Sequence, residues 1–78
     1  MKSRKVVWLT HSGQAVREPI YDKMISTLWG QHVITTHADI VDYVWTHHKA
    51  HVRVVKHDAI FLDFDGEEEE MAWALVWS

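Results

Sequence analysis

Two groups of side chains in this chain could do chemistry: a dense run of carboxylates and a set of closely spaced histidines. The carboxylates are Asp63, Asp65, Glu67, Glu68, Glu69 and Glu70. Oxygen ligands at this density suit a hard cation, and paired acids suit general acid–base work. Asp63-x-Asp65-Gly66 matches only the opening of a calcium loop. Consecutive glutamates follow Gly66, so the spacing of the remaining ligands fails. A catalytic pair also needs a concave pocket, and the apolar runs on either side put these acids on a convex turn. What fits is a charged turn that keeps an apolar hairpin soluble and blocks edge pairing, or one that steers a basic partner toward it.

The histidines are His47, His48 and His51, with His57-Asp58 a few residues on. His47 and His51 would share one face if a helix continued through Lys49 and Ala50, and helical zinc sites use that spacing. Against a hydrolytic metal site, no glutamate follows either histidine in the metalloprotease pattern, and Lys49 sets a cation inside the cluster. A histidine-rich helix end, where imidazolium meets the negative end of the dipole, accounts for the same residues. Metal binding through histidine stands as the alternative reading.

Other chemistry finds little support. There is no cysteine, which removes thiol nucleophiles, disulfides and thiolate metal sites together. Ser12, in His11-Ser12-Gly13, lacks the strand-to-helix frame of a nucleophile elbow, and isolated glycines build no phosphate loop. Lys2, Arg4, Lys5 and Trp8, with Arg53 and Lys56, could form a basic stripe across a sheet. The glycine–aromatic motif of RNA-binding sheets is missing, however. Eleven acidic against eight basic residues, a formal charge of −3, also argue against binding nucleic acid through bulk electrostatics. The reading is a non-enzyme that requires no cofactor.

These residues must be positioned by a small fold. Seventy-eight residues make one domain, which removes only about 60–65% of its unfolded surface from water. Aromatic bulk supplements the short core. Each of the five tryptophans can bury roughly 200 Å², and one or two left exposed would serve as binding anchors. The apolar stretch after the basic N-terminus is too short for a signal peptide, and no run is long enough to span a bilayer. The expected location is cytoplasmic.

The pattern along the chain predicts the elements. Residues 5–10 are β-branched and aromatic on both alternating faces, which suits an interior strand. Residues 11–14 read as a turn and 15–18 as a loop. Pro19 opens a helix over 19–29, with Ile20, Met24 and Leu28 on one stripe, Ile25 and Trp29 widening it, and Gly30 as a left-handed cap. Thr36 and Asp39 form a capping box for a second helix over 37–48, whose inward stripe is Ile40, Val41, Val44 and Trp45. From His51 the period changes to two. Residues 51–55 and 59–64 read as strands, with 56–58 a turn or bulge between them. Asp65-Gly66 reads as a tight turn, and 71–77 as a returning strand with Met71, Trp73, Leu75 and Trp77 on one face.

The fold class that follows is α+β: a two-layer sandwich with a mainly antiparallel sheet of three to four strands, in the order β-α-α-β-β-β, and two helices on one face. The function that follows is non-catalytic protein binding by a small adaptor or inhibitor, acting as a monomer or homodimer. Its partner is a protein with a basic, nucleic-acid-binding surface, with no direct contact to nucleic acid or membrane. The surface would be the acidic hairpin of Asp63, Asp65, Glu67, Glu68, Glu69 and Glu70, with Trp73 and Trp77 as aromatic anchors.

Overall fold

The computed structural model describes residues 1–56 and 58–78; His57, read above as a spare ligand within a turn, lies outside the described residues. The chain runs β1 (Lys2–Leu9), β2 (Ala15–Arg17), α1 (Pro19–Gly30), α2 (His37–His48), β3 (His51–Val55), β4 (Ala59–Phe64) and α3 (Glu67–Trp77). Four strands form one antiparallel sheet in the order β2-β1-β4-β3. The molecule is a small α+β fold, as the sequence pattern implies, with helices layered on one face of the sheet.

Strand register sorts the side chains onto two faces. Arg4 lies opposite Leu62, and Val7 opposite Ile60, on the helix side. Ser3 lies opposite Asp63, Lys5 opposite Phe61 and Trp8 opposite Ala59 on the other. A bulge between Lys5 and Val7 turns Val6 inward as well. Val6, Leu62 and Phe64 then share one core with Tyr21, Met24, Ile25 and Leu28 of α1, Val44 of α2 and Trp73 of α3. Sheet and helices therefore bury a single apolar layer, which is the term that stabilises so short a chain.

The first two helices follow local signals. In α1, Glu18 is the N-cap and accepts from the Ile20 and Tyr21 amides at 3.1 and 3.0 Å. The expected left-handed cap at Gly30 is not there. Gly30 stays helical and His32 takes the positive φ instead, at 59°. In α2 the capping box forms: Thr36 Oγ1 accepts from the Asp39 amide at 3.3 Å, and Asp39 accepts from the Thr36 amide at 3.1 Å. Asp39 also accepts from the Thr35 amide at 2.8 Å, and this bond is the largest of those that hold its carboxyl below the usual range.

Further expectations are corrected. Residues 15–17 form a strand, because pairing with residues 7–9 of β1 satisfies their backbone groups. The inward stripe of α2 is narrower than its sequence suggests: Val44 is buried, whereas Trp45 is 46% exposed and Val41 is also exposed. Trp45 instead stacks on His51 at 4.5 Å, with Lys49 Nζ 5.4 Å from its ring. Trp29 of α1 is likewise exposed.

The largest correction is at the C-terminus. Residues 67–77 are helix α3, so neither a returning strand nor an acidic hairpin exists. Glutamate, methionine, alanine and leucine are strong helix formers, and acids in the first turn favour the positive end of the dipole. The alternation of large residues at 71, 73, 75 and 77 coexists with a helical stripe at 70, 73, 74 and 77. Packing selects the second. α3 lies against β1 and β4 and touches α1 and α2, with Trp73 fully buried. Among the described residues, no helix is long and apolar enough to cross a membrane.

Candidate functional site

Arg4 explains how α3 is held. From β1 its guanidinium reaches Glu18 at the start of α1 (3.0 Å) and Glu70 in the first turn of α3 (3.6 Å). It also stands 5.1 Å from the Trp73 ring centroid, a favourable cation–π arrangement. The Trp73 indole N–H donates to Met24 Sδ at 3.2 Å, and its ring packs on Phe64 at 5.7 Å. At the other end the Trp77 indole N–H donates to His48 Nε2 at 3.1 Å. Burial is the main cause that pushes the His48 pKa down, with the charge of His47 adding to it.

With Trp73, Ala74, Trp77 and Glu70 turned inward, the opposite side of α3 faces solvent. It carries Glu67 and Glu68 in the first turn, then Met71, Ala72, Leu75 and Val76, all exposed. Met71 is 56%, Leu75 77% and Val76 63% exposed. Met71 and Leu75 are four apart, the spacing at which one helix face presents successive anchors to a groove. Met71 and Leu75 give α3 an exposed apolar stripe with acids at one end, and exposed apolar patches mark contact sites more often than scattered single residues do.

The residues singled out by sequence do not converge on one surface. Asp63 belongs to the helix-free face of the sheet and is 8% exposed. Ser3 Oγ donates to it at 2.7 Å and Arg53 Nε at 2.8 Å. The Arg53 bonds are the largest cause holding the Asp63 carboxyl below its usual range, and Ser3 assists. Its carboxylate is taken up by the ion pair with Arg53 and the bond from Ser3. Asp65 is exposed in the bend before α3, Glu69 is half-buried, and Glu70 is tied to Arg4. Trp73 cannot meet a partner, since it is the largest fully buried side chain. Trp77 is half-buried beside Tyr43 and His48. Glu67 and Glu68 remain as outward acids on α3. The apolar anchors that sequence reasoning missed are Met71 and Leu75, which a helical wheel places opposite Trp73, and the exposed Val76 on the flank.

The histidines do not gather either. Lys49 adopts the left-handed conformation, φ 54°, and ends α2, so His51 begins β3 instead of continuing the helix. His47 and His51 therefore share no helix face. Among the described residues, no group of three or more His, Cys, Asp or Glu side chains could hold a metal ion. The helix-free face of the sheet places Phe61 between Lys5 Nζ (5.7 Å) and Arg53 Cζ (4.4 Å). Asp63 sits on that same face and neutralises Arg53, which works against a phosphate backbone there. Set against known protein families, curated proteins and solved structures, the chain matches none.

Proposed function

We propose that this protein is a non-catalytic protein-binding module that docks through the outer face of α3. The observation that carries this reading is the exposed stripe of Met71, Leu75 and Val76 on a helix whose opposite face is anchored in the core. A helix already ordered by Trp73 and Arg4 loses little conformational freedom on binding, which favours affinity for a given contact area. The fitting partner presents an apolar groove bordered by lysine or arginine. Glu67 and Glu68 would speed encounter with such a rim, and the apolar anchors would slow dissociation. A basic surface of this kind is typical of proteins that themselves bind nucleic acid, and an adaptor or inhibitor role follows from covering it.

The test is affinity capture from the native host with the wild-type chain and two variants, followed by kinetics on the protein identified. Met71→Gln with Leu75→Gln should raise the off-rate with little dependence on salt. Glu67→Lys with Glu68→Lys should slow association about tenfold at low salt, with the deficit shrinking as salt rises. A partner retained equally by both double variants would remove α3 from the interface. Self-association lost in the glutamine variant would instead make the stripe a dimer contact.

A further inference from the structure

Between β1, β2 and β4 on one side and α1 and α2 on the other lies a cleft of about 670 Å³. That volume is within the range of small-molecule pockets, about 300–1,000 Å³, and is large for so short a chain. Its apolar walls are Val7 and Ile60 from the sheet, Ile25 from α1 and Ile40 from α2. No residue of α3 lines it, so occupancy of the cleft and docking through α3 can be tested separately.

The polar groups of the cleft have a consistent sign. Tyr21 lines the cleft and is only 3% exposed. Burial pushes the Tyr21 pKa up, against an opposing pull from Arg17. The phenol is thus a protonated donor at neutral pH. Arg17 and His37 also line the cleft, together with Thr36 at the positive end of α2. The chain has eleven carboxylates, yet none lines this cavity. Asp22 pairs with Arg17 Nη1 at 3.5 Å, where both side chains are about half exposed, so solvent screens the pair.

We infer that the cleft binds a small organic monoanion: a compact aromatic or aliphatic body between Val7, Ile25, Ile40 and Ile60, and a carboxylate that accepts from Arg17 and the Tyr21 hydroxyl. The apolar walls supply affinity and the two donors supply orientation, the usual division of work in a ligand pocket. A bidentate guanidinium–carboxylate contact strengthened by low local dielectric would discriminate the anion from a neutral isostere.

The probe is 2-naphthoate, with 2-naphthamide as its neutral counterpart, titrated into the 78-residue chain and followed through backbone amide chemical shifts. The acid should bind saturably with one site, shift the amides around Tyr21, Ile25, Ile40 and Ile60, and leave α3 unmoved. The amide should bind about tenfold more weakly. Tyr21→Phe should weaken the acid several-fold. Arg17→Gln should bring acid and amide to similar affinity, whereas Arg17→Lys should preserve part of the preference. Ile40→Trp, which fills the cleft from a half-buried position, should abolish binding while the amide spectrum stays dispersed. The inference is overturned by any of three results: no saturable shift at millimolar probe, equal binding of acid and amide to the wild-type protein, or shifts centred on α3.

Discussion

The claim that residues 67–77 form a helix with Trp73 inside and Leu75 outside has a sharp energetic consequence. In the strand reading, Trp73 and Leu75 share one buried face, so polar replacement of either should be severe. In the structure they lie on opposite sides, with Trp73 fully buried and Leu75 77% exposed. Trp73→Phe deletes about three buried heavy atoms, each worth about 0.8 kcal/mol. It also removes the indole N–H that donates to Met24 Sδ. With incomplete collapse of the space left behind, the expected loss is about 2–3 kcal/mol. A domain of this length has roughly 4–12 kcal/mol in all, so the variant should still fold. Its melting temperature should fall by about 10–20 °C. Leu75→Lys keeps helix propensity and puts a cation near the negative end of the dipole, so it should change stability by no more than about 0.5 kcal/mol. Urea unfolding with unchanged slope is the assay. If Leu75→Lys loses more than about 2 kcal/mol while Trp73→Phe loses less than about 0.5 kcal/mol, the burial assignment within α3 is wrong.

Further outcomes follow from named contacts. His48 binds its proton less readily in the fold than in the unfolded chain. Its contribution is therefore complete above the unfolded value, about pH 6.5, and is lost as the pH falls through the lower folded value. Protonation at Nε2 also breaks the bond from Trp77, so the urea midpoint should drop between pH 7.5 and 5, and His48→Gln should flatten that slope. Asp63 is shifted down by Arg53 and Ser3, so its contribution is present above the unfolded value, about pH 4, and disappears as pH falls through the folded one. Asp63→Asn should lose about 1–2 kcal/mol at neutral pH, discounted because Arg53 is half exposed, and the difference from wild type should vanish in strong acid. His32 holds a left-handed φ of 59° on the surface, so His32→Gly should stabilise by up to about 1 kcal/mol in the same unfolding assay. Leu28→Ala should cost about 2–4 kcal/mol, since that side chain is almost fully buried.

The sequence alone determined what depends on neighbours a few positions apart. Pro19 with Ile20, Met24 and Leu28 specifies α1, and Thr36 with Asp39 specifies the start of α2, because capping and stripe formation act over three or four residues. The alternation through Ile60, Leu62 and Phe64 specifies β4 in the same local way. The acidic run was legible as outward charge at Asp65, Glu67 and Glu68. The tertiary structure decided the rest. Residues 71–77 satisfy both a period of two and a helical stripe, and a short apolar run cannot separate them; the covering of β1 and β4 by Trp73 does. That choice sets Trp73 in the core on the side opposite Leu75 and leaves Met71, Leu75 and Val76 exposed. Sequence proximity groups Asp63 with the acidic run, but its partners Ser3 and Arg53 lie 60 and 10 residues away. Arg4, Glu18 and Glu70 meet from three separate elements, and the Tyr21 cleft opens between the sheet and two helices. Such juxtapositions arise from long-range packing, which leaves no periodic trace in the chain.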